Sequence, residues 1–432
     1  MPRPIHRLFN RLFNRCLLLL CASAITVPAQ NPAPKDVRIV AKDGQTAIPK
    51  LALYLNSPAL DTRIEVVKQL TDLGGKDSLD PLMTASHDPD PEMQMRSIDG
   101  LVNFYLPGYV RQGPAASIAR AGASIKAKFS DTNDQVIDGF VTVRPEVIAT
   151  VGKLASGGNG MDVRASACRA IGILRGRAAI PDLVEALHSK DNNVMYEALV
   201  AIRKIRDPEA GPKVVFLLRD LDDRIQSAAI EDAGLLQAKD GLPALRGIVA
   251  SPRGSKPERS ALGAIAMMPE PADRALLQRY LVSKDERLRA AAVEGLGRIG
   301  DPGDHAAIDK VWKDDDKMPP RLASAFALTL GGDLALAENG PFRYLLNTLN
   351  SSAWRDTAAA YLMEAARHPA VLAALHQPLQ TGTRDEKIQL AHILAVSGDA
   401  STVPWLDTLS RDSDSNVAQE GLRALRSLRA RL

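Results

Sequence analysis

The chain has 432 residues, with 54 basic and 51 acidic side chains and a formal net charge of +3. A charge this close to zero gives no general reason to expect a nucleic acid or an anionic membrane as the partner. Aromatic residues make up only 4% of the chain, which suits a core of Leu, Ile, Val and Ala.

The first 29 residues have the layout of a secretory signal peptide. A basic stretch without acidic residues precedes an apolar run from Cys16 to Val27, and Val27-Pro28-Ala29 places small residues at the positions that a signal peptidase reads. The run is about 12 residues long, short of the ~20 that a membrane-spanning helix needs. We therefore expect cleavage near Ala29 and export to the periplasm or cell envelope of a bacterium. A retained N-terminal anchor is the alternative.

Removal of residues 1–29 would change both the charge and the cysteine content. These residues hold four arginines, no acidic residue and two of the three cysteines, so the mature net charge is −1. Only Cys168 remains, and it lies in an Ala-rich stretch typical of a packed helix. We expect no internal disulfide, because a chain of this size can rely on its core.

A pattern of about 31 residues then recurs along the chain. The stretch from Lys190 to Pro208 returns, 94 residues or three periods later, as Lys284 to Pro302. After a linker or irregular N-terminal cap at 30–46, the pattern predicts repeats 1–2 at 47–102, an irregular insertion at 103–143 and repeats 3–11 at 144–432. The first helices often begin with proline, as at Ile180-Pro181, because the first helical N–H groups need no intrahelical partner.

Each repeat continues with a polar turn and an Ala-rich second helix. Turn aspartates precede the apolar stretch and are expected to cap the second helix: Asp162, Asp191, Asp222 and Asp285. In the stretch from Leu288 to Ile299, small and branched residues recur at helical spacing on one face. No alternation typical of strands is sustained, so the predicted fold is an all-α solenoid of about eleven stacked helix pairs.

The proline-started first helix, the Asp turn and the Ala-rich second helix resemble HEAT repeats. They are most similar to the short repeats of the phycobilisome-lyase-type HEAT-like subfamily. The resemblance implies a right-handed α-solenoid, a superhelix whose second helices line a concave surface that holds other proteins. Second-helix arginines, among them Arg164, Arg203 and Arg289, are therefore candidates for binding acidic partner segments. The favoured alternative is pairing with Glu three or four residues away on the same helix.

The insertion is the other candidate for partner binding, because it interrupts the regular period and concentrates aromatic residues. Tyr105, Tyr109 and Phe129 accompany Arg111 and further basic residues, with no acidic residue between Asn103 and Phe129. One interpretation is a docking element for a protein partner or a membrane surface. The alternative, which the sequence favours, is an enlarged repeat whose aromatic side chains fill its own core.

No catalytic, cofactor-binding or metal-binding pattern is recognisable. The histidines have no zinc spacing, and the stretch from Asp412 to Asn416 lacks the glycine and glutamate of a calcium loop. We predict a non-enzymatic interaction scaffold without a cofactor, which binds a protein partner and no nucleic acid. A chromophore-lyase-like accessory protein and a membrane-surface adaptor are the alternatives.

Overall fold

The structure is a computed structural model, and it describes residues 32–110 and 135–432. Over these two ranges it contains 23 α-helices joined by turns and short 3-10 segments, and no β-strand. The predicted all-α solenoid of about eleven stacked helix pairs is confirmed. The chain divides after Pro81 into two compact units.

The first unit contains α1 (Pro34–Ala41), α2 (Ile48–Tyr54), α3 (Leu60–Leu73) and the start of α4 (Leu79–Ala85). Helix α1 lies where the sequence indicated a linker or an irregular cap. It forms because Pro34 opens its first turn and the Asp36 carboxylate accepts the N–H of Ala33 at 2.9 Å. Val37 is fully buried, and α1 packs against α3.

The second unit contains the remaining helices, which alternate as first and second members of a pair. Their bounds are α5 (Pro91–Tyr105), α6 (Pro145–Gly157), α7 (Met161–Ile173), α8 (Ile180–Ala186), α9 (Asn192–Ile205), α10 (Gly211–Val214), α11 (Asp223–Leu235), α12 (Leu242–Ala250), α13 (Ser255–Met267), α14 (Arg274–Tyr280), α15 (Glu286–Ile299), α16 (His305–Asp314), α17 (Met318–Leu330), α18 (Pro341–Thr348), α19 (Arg355–Ala365), α20 (Pro369–Thr381), α21 (Arg384–Ser397), α22 (Val403–Leu409) and α23 (Ser415–Arg431).

Turn aspartates cap several second helices, as predicted. The Asp191 carboxylate accepts the N–H groups of Asn193 and Val194 at 2.9 and 3.0 Å. Asp222 and Asp285 act in the same way on α11 and α15. The prediction was wrong for Asp162, which lies inside α7. There the N-cap is Gly160, whose φ of 115° bends the chain into the helix without a side-chain cap.

Small residues bring consecutive second helices close together. A Cβ at Gly172 of α7 would stand 2.8 Å from the Cα of Ala201 on α9. The same approach recurs where Gly297 of α15 faces Ala327 of α17. The Ala- and Gly-rich stripe of each second helix therefore lies against the next second helix, which accounts for the residue types at these positions.

Candidate interaction surface

The two described tyrosines of the insertion contact the protein itself. The Tyr105 hydroxyl accepts the backbone N–H of Arg144 at 3.1 Å, and its ring meets Phe104 edge to face at 4.8 Å. Burial raises the pKa of Tyr109, and the nearby carboxylate of Asp99 adds to this effect. Both side chains are half-buried. The other two candidates from this segment, Arg111 and Phe129, lie outside the described residues.

Arg164 and Arg289 donate hydrogen bonds to carbonyl oxygens at, or just after, the end of the first helix of their own pair. Arg164 Nε donates to the carbonyl oxygen of Ala155 at 3.0 Å, and Arg289 Nη1 to that of Ser283 at 2.8 Å. These carbonyls have no intrahelical partner, so the guanidinium satisfies them. The same role is filled by the side chains of Gln94, Gln226 and Arg355.

Arg203 pairs with one buried and one exposed carboxylate. Its Nε donates to Oδ1 of Asp232 at 2.7 Å, and its Nη1 lies 2.7 Å from Glu231. Asp232 is fully buried, and its Oδ2 has no hydrogen-bond partner among the described residues. Burial raises the pKa of this carboxyl group to about 7 although Arg203 acts in the opposite direction.

Most charged pairs among the described residues of the second unit join one helix pair to the next. The arginine and its carboxylate are 26–30 residues apart: Arg169–Glu197, Arg203–Asp232, Arg246–Asp273, Arg259–Asp285, Arg274–Asp304, Arg289–Asp315, Arg355–Asp385 and Arg384–Asp414. Same-helix pairing, which the sequence favoured, occurs for Arg298 with Glu294 but is the minority. The reason is the close helix stacking, which brings the next repeat within reach of a guanidinium.

Exposed apolar side chains lie along the turns between first and second helices of the third to fifth pairs. We call Met161, His188, Phe216 and Leu221 the turn-edge strip. The His188 and Phe216 rings are stacked at 4.6 Å, and Met161 Sδ lies 4.0 Å from Oγ of Ser189. Phe216 is 51% and Leu221 is 86% exposed. Aromatic, Met and Leu side chains presented in this way are typical of protein-binding surfaces.

The sequence did not reveal this strip, because an isolated apolar residue beside a helix resembles a core residue. One signal was available: Leu221 stands between Asp220 and the capping Asp222, inside a polar turn where no helix face can bury it. Three residues after Leu221, the Arg224 guanidinium lies 3.5 Å from the centre of the Tyr196 ring and forms a cation–π contact.

Other kinds of site are not evident in the part of the chain that the structure describes. Among residues 32–110 and 135–432, no group of three His, Cys, Asp or Glu side chains is arranged to hold a metal ion. Within the same ranges, no helix has the length and apolar character to cross a bilayer. Cys168 is buried, and burial raises the pKa of its thiol to about 12, as expected of a packing residue.

Comparison with known proteins identifies the repeats. A family model described as HEAT repeats matches residues 148–234 and 255–329. The phycocyanobilin lyase subunit alpha of Nostoc sp. strain PCC 7120 is 28% identical over 153 residues, which span 33% of this chain and 55% of that protein.

Solved structures with similar arrangements of helices include assemblies of several kinds. The complex of CpcE and CpcF of phycocyanin lyase from Nostoc sp. PCC7120 matches 65% of this chain and 94% of that chain, with 17% identity and a TM-score of 0.36. Importin beta matches 98% of this chain and 65% of its own, with 12% identity and a TM-score of 0.36. Kap121p bound to Nup53p matches 92% of this chain and 47% of its own, with 12% identity and a TM-score of 0.39.

Proposed function

We propose that this HEAT-repeat protein, whose predicted repeat family is confirmed by the matches above, is a non-enzymatic scaffold that binds a protein partner in the bacterial cell envelope. The observation that carries the proposal is the turn-edge strip. Proteins seldom leave neighbouring large apolar side chains in water unless a partner covers them. The stacked His188 and Phe216 rings also give a rigid contact area, which costs little entropy on binding.

The arginines of the second helices also favour the turn-edge strip as the binding surface. Arg203 and Arg289 are already paired with carboxylates of the next helix pair, so a partner that recruited them would have to break these contacts. The strip, in contrast, is exposed before any partner binds. The envelope location rests on the signal-like residues 1–29 alone. Cell fractionation of the producing organism, with and without these residues, tests it directly.

Affinity capture from an envelope fraction tests the role of the strip. The intact protein is compared with a Phe216→Ser/Leu221→Ser variant and with a matched control, Val396→Ser, whose side chain is 54% exposed on α21. We expect the same captured partner with the intact protein and the control, and at least a tenfold loss (~1.4 kcal/mol) with the strip variant. Equal capture by all three would remove the strip from the proposal.

A lyase-like accessory function is the second candidate, and the identity of 28% to the lyase subunit favours it. Incubation of the purified protein with phycocyanobilin, followed by visible absorbance of the gel-filtered complex, tests this function. A pigment that co-elutes with the protein supports it, and an unpigmented protein argues against it.

The basic segment of the insertion supports a third role, contact with a membrane surface. Flotation with vesicles of anionic lipid, using the intact chain and a deletion of residues 111–134, distinguishes this role from protein binding. A membrane role requires that only the intact chain floats.

A further inference from the structure

In the second unit, the row of second helices ends close to where it begins. Helices α7, α9, α11, α13, α15, α17, α19, α21 and α23 pack in this order, each against the next. The last of them carries Arg423, which binds Asp138 although 285 residues separate the two. The contact is bidentate, because Nη2 lies 2.6 Å and Nε 3.2 Å from the two carboxylate oxygens.

Asp138 belongs to a short extended segment that is fixed to the beginning of the same row. The N–H of Ile137 donates to the carbonyl oxygen of Ile173, at the end of α7, at 3.0 Å, and the Ile137 side chain is buried. Lys204, near the end of α9, donates to the carbonyl oxygen of Gln135 at 3.2 Å. We call residues 135–138 the strap.

The surroundings of the strap favour a carboxylate at position 138. Arg175 and Arg206 follow α7 and α9 and have φ values of 49° and 55°, where other repeats place Gly74 and Gly300. A left-handed backbone is unfavourable for arginine, so an arginine at either position costs conformational energy. Burial and the nearby Arg206 lower the pKa of Arg175, and Asp138 opposes this effect. Asp138 therefore lies near Arg175 as well as Arg423.

We propose that the strap and Arg423 form a salt-dependent closure, which holds the two ends of the row of second helices together. When the Asp138–Arg423 pair breaks, α23 separates from the strap and the row opens. The pair is suited to opening and closing because both side chains remain partly exposed, 32% for Asp138 and 54% for Arg423. Ion pairs of this kind are weak and are screened by salt.

The strap is held by different kinds of contact on its two sides, which explains why the closure opens between the strap and α23. On the α7 and α9 side, the strap has a backbone hydrogen bond and a buried isoleucine, neither of which depends on salt. On the α23 side, the strap is held by the ion pair between Asp138 and Arg423. Opening therefore leaves the strap with the beginning of the row. This inference concerns the shape of the second unit and stands whether or not the strip binds a partner.

Distance measurement between spin labels tests the closure. Labels are attached at Gly139→Cys, where an added side chain meets open space, and at Arg426→Cys on the exposed side of α23, with Cys16 and Cys21 replaced by Ser and Cys168 by Ala. At low salt we expect one short distance. In 1 M NaCl, or with Asp138→Asn at low salt, a longer and broader population is expected to replace it.

Asp407→Asn is the matched control, because it removes an exposed pair with Arg411 that lies away from the strap. It should leave the distance unchanged. If Asp138→Asn does not fold, as judged by circular dichroism, Arg423→Gln breaks the same pair from the other side. The closure is wrong if the folded variants and 1 M salt all keep the short distance of the unmodified protein.

Discussion

Two neighbouring regions of the second unit build the same helix pairs from different interactions. In the regular pairs, α8 to α15, turn aspartates cap α9, α11 and α15, and small residues join the second helices. In the aromatic pairs, α16 to α19, the N-caps Lys317 and Trp354 form no side-chain cap. There Phe326 and Phe342 are fully buried instead. Large apolar side chains thus replace local polar signals in these pairs.

The aromatic pairs also contain a contact that bypasses a repeat. Arg298 on α15 forms a bidentate pair with Glu364 on α19, at 2.7 and 2.8 Å, across the intervening α17. Its guanidinium lies 5.1 Å from the ring of Phe326, which stacks on Tyr361 at 4.6 Å. This contact shows that the inner edges of three successive pairs lie close together. The stability of the region should therefore depend strongly on single aromatic residues.

The largest expected effect is that of Phe326→Ala. The substitution leaves a cavity beside Tyr361 and removes the ring next to Arg298, so we expect a loss of about 3–5 kcal/mol in the free energy of unfolding. Urea unfolding of the full chain measures the loss. The control is Leu336→Ala. Because Leu336 is 37% exposed, this substitution should lower the free energy of unfolding by less than about 1 kcal/mol. Similar values for the two variants would contradict the dependence on buried aromatic residues.

The regular pairs contain the group with the strongest expected pH dependence, Asp232. Because burial raises its folded pKa from 3.8 to about 7, the folded state binds a proton between these values that the unfolded chain does not bind. Stability should therefore fall as the pH rises across this window, by roughly 2–4 kcal/mol for this group. Asp232→Asn should flatten the profile of unfolding free energy between pH 4 and 7.

Asp304→Asn is the control for this prediction. Arg274 lowers the pKa of Asp304, so the stability that Asp304 contributes is present above its unfolded pKa of 3.8 and is lost only as the pH falls further. This variant should be less stable at every pH above 4 and keep the slope of the unmodified protein. An unchanged slope in Asp232→Asn would show that the buried carboxyl is not the group responsible.

Much of the fold could be predicted because its signals are local. Proline at the helix start, the turn aspartate and the 3.6-residue period each act within one repeat, and together they predicted the helix pairs and the resemblance to HEAT repeats. The partners of Arg203, Arg298 and Arg423 could not be predicted, because they depend on the distance and rotation between repeats. A pairing across 29, 66 or 285 residues leaves no trace in the local pattern.

The candidate surface was the least predictable part for the same reason. Insertion residues Tyr105 and Tyr109 were conspicuous in the sequence, and in the structure they contact neighbouring parts of the protein. Phe216 was inconspicuous, because nothing in the local sequence places its ring beside His188 of the preceding pair.

A pair of glycine substitutions sharpens the comparison at the junction of the two regions. In Gly297→Ala the new Cβ would stand 2.5 Å from the Cβ of Ala327 on α17, so the helices must separate, at a cost of about 1–3 kcal/mol. Gly263→Ala on α13 meets open space and should gain about 0.5–1 kcal/mol through helix propensity. Thermal unfolding of both variants provides the measurement. Changes of the same sign would show that close packing does not select glycine at position 297.

The smallest expected effect is the repair of a missing cap. Lys317 has the backbone conformation of a capping residue, with φ −93° and ψ 138°, close to the −81° and 116° of Asp285. Lys317→Ser supplies a hydroxyl acceptor without adding negative charge beside Asp315, and should raise the free energy of unfolding by about 0.5–1 kcal/mol. Its lost ion pair with Asp316 is exposed and contributes little.

Lys317→Ala serves as the matched control, since it loses the same lysine without gaining an acceptor. Denaturation of the two variants in parallel isolates the hydroxyl. If serine and alanine are equivalent, a cap adds nothing at α17, and the stability of the aromatic pairs comes from their buried rings alone.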